Sequence, residues 1–311
     1  VLGFAFKKGK EREKVEKEEG LIWLGLQAMT DPVREEVILA IKECQTAGIR
    51  VMMLTGDNPT TAKAVADQIG LKSSGVLLGK QLDKMNNSEL EQKIAHGVNI
   101  FARISPFHKL RILKILQKKY RVAMTGDGVN DSLALKKADV GIAMGIKGTE
   151  VAKQASDIIL LDDNFATIVS AIKEGRRIFD NIRKFVNYLL VCNLAEVLVI
   201  FLATLFLPLT EPILLPVQLL WINLLTDGMP ALALGLDPAR PDIMKDPPRP
   251  KGESIINREQ AWLIGLIGLK KTTVLFLTFF LLLPFGETEA RTALFTGFIL
   301  YEFVRIASIR Y

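Results

Sequence analysis

Two stretches of this sequence carry nearly the same signature. Met53-Leu54-Thr55-Gly56-Asp57 and Met124-Thr125-Gly126-Asp127-Gly128-Val129-Asn130-Asp131 each end a short apolar run with Thr, Gly and Asp. At the end of a strand, Thr and Gly backbone groups donate to phosphate oxygens, and an Asp just beyond offers a hard oxygen to a divalent ion. Asp127 and Asp131, four apart across a strand-to-helix turn, are expected to converge on one such cation, with Asn130 hydrogen-bonding nearby. Lys109 follows Ser105-Pro106-Phe107-His108 at a helix start, where its charge can neutralise a phosphoryl group. One Thr-Gly-Asp is most often a turn with an N-cap Asp. Two of them on successive parallel strands, one extended to Thr-Gly-Asp-Gly-Val-Asn-Asp, point instead to phosphate and magnesium chemistry.

A second group of polar residues lies within long apolar runs, where an ionisable side chain is costly unless it is paired or binds something. Asn193 and Glu196 are three apart, on one helical face; Asn223, Thr226 and Asp227 share another. Gly228 and Pro230 follow at once and are expected to loosen that helix, freeing carbonyls beside the carboxylate. Glu302 is either a third acid of the cluster or the partner of Arg305, one turn away. Amides and Thr also knit helices together by hydrogen bonds, but the carboxylates weigh against that reading. Oxygen donors without thiolate or imidazole select a hard cation such as Ca²⁺. His96 and His108 have no partner at metal-ligand spacing and read as surface or loop residues; Cys44 and Cys192 read as plain buried thiols.

These residues need two kinds of scaffold. Residues 1–184 are those of a charged globular protein, whereas 185–311 are dominated by Leu, Ile, Val and Phe runs, which lift the hydrophobic share to 49% and the mean hydropathy to +0.26. The net charge of +6 is dispersed and accompanies no nucleic-acid motif, so nucleic acid is not an expected partner. Strands are predicted at 1–6 and 21–27 around a charged loop at 7–19, and at 49–54, 75–78, 99–102, 121–124, 139–143 and 157–161. Helices are predicted at 31–47, 59–69, 87–95, 106–118 and 129–136. The alternation implies a doubly wound parallel α/β sheet with its ligand site at the carboxyl ends of the strands.

From 164 to about 207 one helical pattern runs on, polar and amphipathic before 185 and apolar after. At 1.5 Å per residue it is about 65 Å long, enough for a stalk (164–184) and a membrane span. Spans are expected at 185–207, 214–236, 261–284 and 291–309, forming an all-α bundle in membrane lipid. Arg176, Arg177, Arg183 and Lys184, with Arg240, Lys245, Arg249, Lys251 and Arg258, flank one side, and the turns 208–213 and 285–290 hold no Lys or Arg. The positive-inside rule then puts the α/β domain in the cytoplasm. Lys270 and Lys271 fall inside the third span; they snorkel, face a wet crevice, or mark a shorter span.

The run 124–144 with Lys109 and Thr55-Gly56-Asp57 resembles the phosphorylation domain of P-type ATPases, a branch of the haloacid dehalogenase-like superfamily. The resemblance implies that Thr55, Gly56, Asp57 and Lys109 bind the phosphoryl group of an ATP-driven reaction, that Asp127 ligates Mg²⁺ with support from Asn130 and Asp131, and that Arg103 meets the nucleotide. It also implies that 1–28 end a nucleotide-binding domain and its hinge and that 29–163 are the C-terminal part of the phosphorylation domain. Asn223-Leu-Leu-Thr-Asp-Gly with Asn193 and Glu196 resembles calcium pumps of the sarco/endoplasmic reticulum type; no Cys-Pro-Cys of heavy-metal members occurs. By that pattern Asn193, Glu196, Thr226, Asp227 and Glu302 serve one Ca²⁺, and Asn223 with Asp227 a second that also needs a glutamate from a helix outside this sequence; Arg305 departs from the pattern. The family's Asp-Lys-Thr-Gly nucleophile motif and its Thr-Gly-Glu loop are not in this sequence. Val1 inside a strand and Tyr311 on an apolar helix read as cut ends, so the N-terminal domains of the same pump are expected partners. The alternatives are a pump for Na⁺, H⁺ or Mn²⁺, a truncated non-catalytic membrane module or partner subunit, and a membrane-anchored phosphatase.

Overall fold

The computed structural model describes residues 2–7, 20–28 and 32–310. β1 (Leu2–Phe6) and β2 (Ile22–Gln27) form an antiparallel pair with a register shift between Phe4 and Ala5. Most of the charged stretch expected to be a loop, and Asp31 at the expected helix start, lie outside the described residues.

The α/β region then alternates as expected, with shifted boundaries. In chain order it runs α1 (Glu35–Thr46), β3 (Met53–Leu54), α2 (Pro59–Gln68), β4 (Val76–Leu78), α3 (Gly79–Leu82), α4 (Asn87–Ala95), β5 (Ile100–Ala102), α5 (Pro106–Leu116) and β6 (Ala123–Gly126). It continues with a 3₁₀ turn (Val129–Asp131), α6 (Ser132–Lys137), β7 (Val140–Met144), α7 (Glu150–Ala155) and β8 (Ile158–Leu160). Side-chain caps fix several starts: the Asn58 oxygen accepts from Thr60 N–H ahead of Pro59, and Asn86 with Glu89 and Ser105 with His108 cap reciprocally. α1 begins later than Pro32 because Arg34, at ψ 131°, is still extended. Gly48, at φ +68°, stops it, and a Cβ there would stand 2.8 Å from Pro248.

All six strands of this region are parallel, but they form two three-stranded sheets, β3-β5-β4 and β6-β7-β8, rather than one. The strand expected over 49–54 shrinks to its last two residues. Upstream of it the Arg50 guanidinium donates to the Ile94 and Val98 carbonyls and to Asn99 Oδ1. The strand expected at 121–124 moves to Ala123–Gly126, since Val122 N–H is taken by the Asp139 carboxylate at 2.9 Å. α3 and α7, of four and six residues, are too short to show a period and were not predicted. Phe101, Leu82, Leu90 and Ile112 make one core; Leu135, Ala143 and Ala152 make another under the second sheet.

α8 (Phe165–Phe206) is a single helix of 42 residues. The next apolar helix joins α9 (Pro216–Trp221), a π-helical turn (Ile222–Asp227) and α10 (Gly228–Gly235) without a break, so the expected loosening at Gly228 takes the form of a wide turn. α11 (Arg258–Leu282) and α12 (Glu287–Arg310) follow. Among the described residues four helices are thus long and apolar enough to cross a membrane. Gly268 lets α11 approach α8 closely: a Cβ there would lie 2.7 Å from Leu194 Cδ2.

The two regions are joined beyond the continuity of α8. Phe165 packs into the core between the first sheet and α1 and α2, into the cluster that joins α1 to α8, and into the core of the second sheet. Arg176 of α8 donates to Ala47 O behind α1 and to Ile243 O and Asp246 O in the connection after α10. Lys251 of the same connection donates to Gln117 O behind α5.

Candidate functional site

The loop after β5 stitches the soluble motif loops together. Its Arg103 N–H donates to Asp57 O at 3.1 Å and its Ile104 N–H to Thr55 O at 3.2 Å. Within the first motif Thr55 Oγ1 donates to Asp57 Oδ2 (2.8 Å) and accepts from Asp57 N–H (3.1 Å), a closed Asx-like turn. Arg103 itself is exposed and held at φ +51°, left-handed backbone that non-glycine residues rarely adopt.

The same loop leads into α5, whose Lys109 reaches the second motif. Lys109 Nζ lies 2.6 Å from Asp131 Oδ1, both side chains being mostly buried, and Asp131 Oδ2 accepts from Gly128 N–H at 3.4 Å. Gly126 makes this possible, since a Cβ there would fall 2.4 Å from Asp131 Cβ. Asp127 and Asn130 are exposed, and Asp127 O accepts from Thr149 N–H at 2.8 Å, tying the loop to the start of α7. Lys109 therefore neutralises a carboxylate of its own chain, and Asp131 is the buried, lysine-bound member of the pair of acids while Asp127 faces outward. His108, read from the sequence as a surface or loop residue, closes the α5 capping box, and its Nε2 lies 2.8 Å from Asp83.

Two carboxylates lie at opposite ends of the second sheet, Asp163 at the carboxyl ends of its strands and Asp139 at their amino ends. Asp163, at φ +49°, accepts from Ile146 N–H (3.0 Å) and Lys147 N–H (2.8 Å); burial raises its pKa, but these bonds outweigh that and hold it below the usual range. Asp139 behaves alike: burial raises it, while the bonds from Val122 and Gln117 and the nearby Lys251 bring it down.

The apolar half gathers the second cluster. Glu196 of α8, Asp227 at the end of the π turn and Glu302 of α12 are buried, at 5%, 1% and 0% exposure. Each has one oxygen without a hydrogen-bond partner among the described residues: Glu196 Oε1, Asp227 Oδ2 and Glu302 Oε2. Asn223 Nδ2 donates to Glu196 Oε2 at 3.2 Å, and Thr226 is buried beside Asp227. Carboxylate oxygens of Asp227 and Glu302 and the Cys192 sulfur lie within 4.8 Å of one another. Buried polar atoms in native proteins are nearly always bonded, so the orphaned oxygens of Asp227 and Glu302 fit a cation between them, while Glu196 lies outside this close group. Asn193 is exposed, so only Glu196 of the two α8 residues is buried here.

Two expectations about charge are corrected. Glu302 does not pair with Arg305, whose guanidinium donates to Asn187 Oδ1 (2.6 Å) and Ser308 Oγ. Its partner is Lys271 of α11, with Nζ 3.3 Å from Glu302 Oε1 and both side chains at 0% exposure. Lys271 thus neither snorkels nor meets a wet crevice, nor is the helix shortened; Lys270 is exposed. The signal was in the sequence: Ile264, Gly268, Lys271, Thr272, Leu275 and Phe279 form a helical stripe that includes Lys271 and omits Lys270. Tyr188 and Cys192 were also missed as members of the cluster. Pro230 has no N–H for the Thr226 carbonyl one α-turn back, and the Tyr188 hydroxyl donates there at 3.0 Å and lies 3.4 Å from Asp227 Oδ1.

Comparison with known proteins agrees with both halves. Residues 4–139 match the haloacid dehalogenase-like hydrolases, and residues 211–311 match the C-terminus of cation transporting ATPases. The chain is 46% identical over 312 residues to a calcium-transporting ATPase of Bacillus subtilis, covering 98% of this chain and 34% of that protein. It is 41% identical over 324 residues to calcium-transporting ATPase 1 of Yarrowia lipolytica, again 34% of that protein. With an endoplasmic reticulum-type calcium-transporting ATPase 4 of Arabidopsis thaliana it shares 48% over 254 residues, 79% of this chain and 23% of that protein. The chain therefore spans about a third or less of the length of these relatives.

Proposed function

As a member of the cation-transporting ATPases, this chain is, we propose, the part of an ATP-driven pump that binds the transported cation and couples it to phosphoryl transfer. The observation that carries this reading is the cluster of three buried carboxylates, one from each of three membrane helices, with an unpartnered oxygen on each. Its donors are chiefly oxygen, with no imidazole, which suits a hard divalent ion, and the relatives' names favour Ca²⁺.

In this proposal ATP phosphorylates an aspartate outside this chain, which holds no Asp-Lys-Thr-Gly. Thr55, Gly56 and Lys109 receive the transferred group: Thr55 and Gly56 by hydrogen bonds, Lys109 by charge it now shares with Asp131. Asp57 shapes the first loop through Thr55, and Arg103, exposed beside it, faces the nucleotide. Asp127 and Asn130 expose hard oxygen donors after β6 and fit Mg²⁺, with Asp131 and Lys109 fixed behind them; bound there, the ion neutralises phosphoryl charge. Glu196, Asn223, Thr226, Asp227 and Glu302 are the proposed ion-binding set, and the exposed Asn193 lies one turn from Glu196 on α8. The α/β domain is cytoplasmic, by the basic residues flanking the spans.

Coupling runs through α8. The helix has no Pro, is packed into the α/β cores at Phe165, is tied by Arg176 to Ala47, Ile243 and Asp246, and carries Glu196. Reorientation of the domain on phosphorylation moves Glu196 relative to Asp227 and Glu302, which changes affinity for the ion. The test is Ca²⁺ binding to the full-length protein in detergent, wild type against Asp227→Asn, with ATP-dependent, acid-stable phosphorylation measured alongside. Saturable binding lost in the variant, and Ca²⁺-dependent phosphorylation, are expected. Phosphorylation driven by another cation would overturn the choice of ion, and neither activity would favour a non-catalytic membrane module.

A further inference from the structure

Cys192 differs from an ordinary buried thiol. Cys44, the other cysteine, packs among Ala40, Ala47, Val169 and Ile243 and belongs to no group of potential metal ligands among the described residues. Cys192 is fully buried and also packs against Tyr188 and Leu234, yet its sulfur lies within 4.8 Å of a carboxylate oxygen of Asp227 and of one of Glu302, and those two oxygens are equally close to each other. A point therefore exists within about 2.8 Å of all three atoms, and a small contraction around an ion there reaches ordinary metal–ligand lengths. Asp227 and Glu302, at 1% and 0% exposure, each keep one oxygen without a partner among the described residues, while the other faces the Tyr188 hydroxyl or the Lys271 ammonium.

We infer that the Cys192 sulfur is a ligand of the ion held by Asp227 and Glu302, so that the site also takes a thiophilic divalent cation of the Cd²⁺ class. The inference rests on the reading of those two acids as part of the ion site. It holds whatever donors the rest of the pump adds, because a sulfur touching the ion changes which ion is preferred, not how many are bound. Sulfur is a poor partner for a hard ion such as Ca²⁺ and a strong one for a soft ion. Cd²⁺ takes the thiolate: the Cd–S bond forms as the S–H bond breaks, and the proton leaves to solution. Ca²⁺ uses the same two carboxylates without that step. Cys192 is therefore a specificity-determining residue of the cluster, one turn before Glu196 on α8.

The experiment measures preference between two ions at one site. Radiolabelled Ca²⁺ bound to the full-length pump in detergent is displaced with Cd²⁺ for the wild type, Cys192→Ser and Cys192→Ala, and the ultraviolet sulfur-to-metal absorption is recorded on the same samples. Displacement reads only the Ca²⁺ site, so thiols elsewhere do not enter it. The wild type is expected to prefer Cd²⁺ to Ca²⁺ and to show on Cd²⁺ addition a band that excess Ca²⁺ reverses. In both variants the preference for Cd²⁺ over Ca²⁺ is expected to fall at least about tenfold and the Ca²⁺-reversible band to disappear. Serine nearly keeps the size of the side chain and alanine removes the donor, so either variant that still binds Ca²⁺ reports; where neither does, the wild-type band decides. An unchanged preference in a variant that binds Ca²⁺, or no Ca²⁺-reversible band in the wild type, would overturn the inference while leaving the pump reading standing. No Ca²⁺ bound by the wild type would overturn the pump reading itself, and the inference with it.

Discussion

Tyr188 is where backbone chemistry and ion binding meet, and its loss has a computable consequence. The ring is fully buried, and the hydroxyl donates to the Thr226 carbonyl at 3.0 Å, a carbonyl that Pro230 deprives of its helical donor. Tyr188→Phe keeps the ring and its packing but leaves that carbonyl without a donor inside a membrane helix. A buried group so orphaned costs about 2 kcal/mol, and for a region of this size that is about 4–8 °C in the midpoint of thermal unfolding. The companion variant Pro230→Ala restores an N–H one turn on. In the Tyr188→Phe background it is expected to recover more than half of the lost stability, whereas in the wild type it changes the midpoint little because the carbonyl is already bonded. The assay is the thermal midpoint of the four detergent-solubilised full-length proteins, combined as a double-mutant cycle. Additive effects of the two substitutions would refute the argument that Tyr188 replaces the proline's missing donor.

Substituting Gly126 by Ala forces a Cβ to within 2.4 Å of Asp131 Cβ, which displaces Asp131 from Lys109; phosphoenzyme formation is expected to fall at least about tenfold, while Ca²⁺ binding to the full-length protein persists. Asp139 has a folded pKa below its unfolded value, so its contribution to stability is fully present above the unfolded carboxylate value of about 4 and is lost as pH falls through the lower folded value. Asp139→Asn is accordingly expected to lower the thermal midpoint at pH about 7, with the difference from wild type closing in acid; a gap that widens below pH about 4 would contradict the sign.

What the sequence made legible followed from local rules. The Thr-Gly-Asp repeats, the helices near 59–69, 87–95 and 106–118 and the four apolar helices each depend on residues close in sequence, and they fall close to where those rules put them. Partners across the chain were another matter. Glu302 has Arg305 one turn away on its own helix, yet its partner is Lys271, 31 residues earlier on α11. The choice depends on how α11 and α12 rotate against α8, which small residues such as Gly268 decide. Likewise the Asp131 carboxylate, read as free for a cation, is held by Lys109 because α5 lies beside the 3₁₀ turn. The division into two sheets was hidden because strands of two to five residues carry no signal about which neighbour they will pair with.

The two buried lysine-carboxylate pairs share a physical logic that bears on how the two halves of this chain would communicate in the proposed pump. Removing either partner leaves an uncompensated buried charge, at a cost of about 3–5 kcal/mol, so each pair resists separation unless another charge replaces the partner. A phosphoryl group arriving at Lys109 offers such a replacement for Asp131, and a divalent ion arriving at Glu302 Oε2 loads the other carboxylate without displacing Lys271. The first site is therefore built to exchange a charge and the second to retain one. With α8 as a continuous link and Glu196 the buried acid on it, the proposed coupling predicts that phosphorylation alters the geometry of the cluster more readily than its charge. Under the proposed function, ion release would follow from Glu196 being drawn away from Asp227 and Glu302, with Lys271 left beside Glu302.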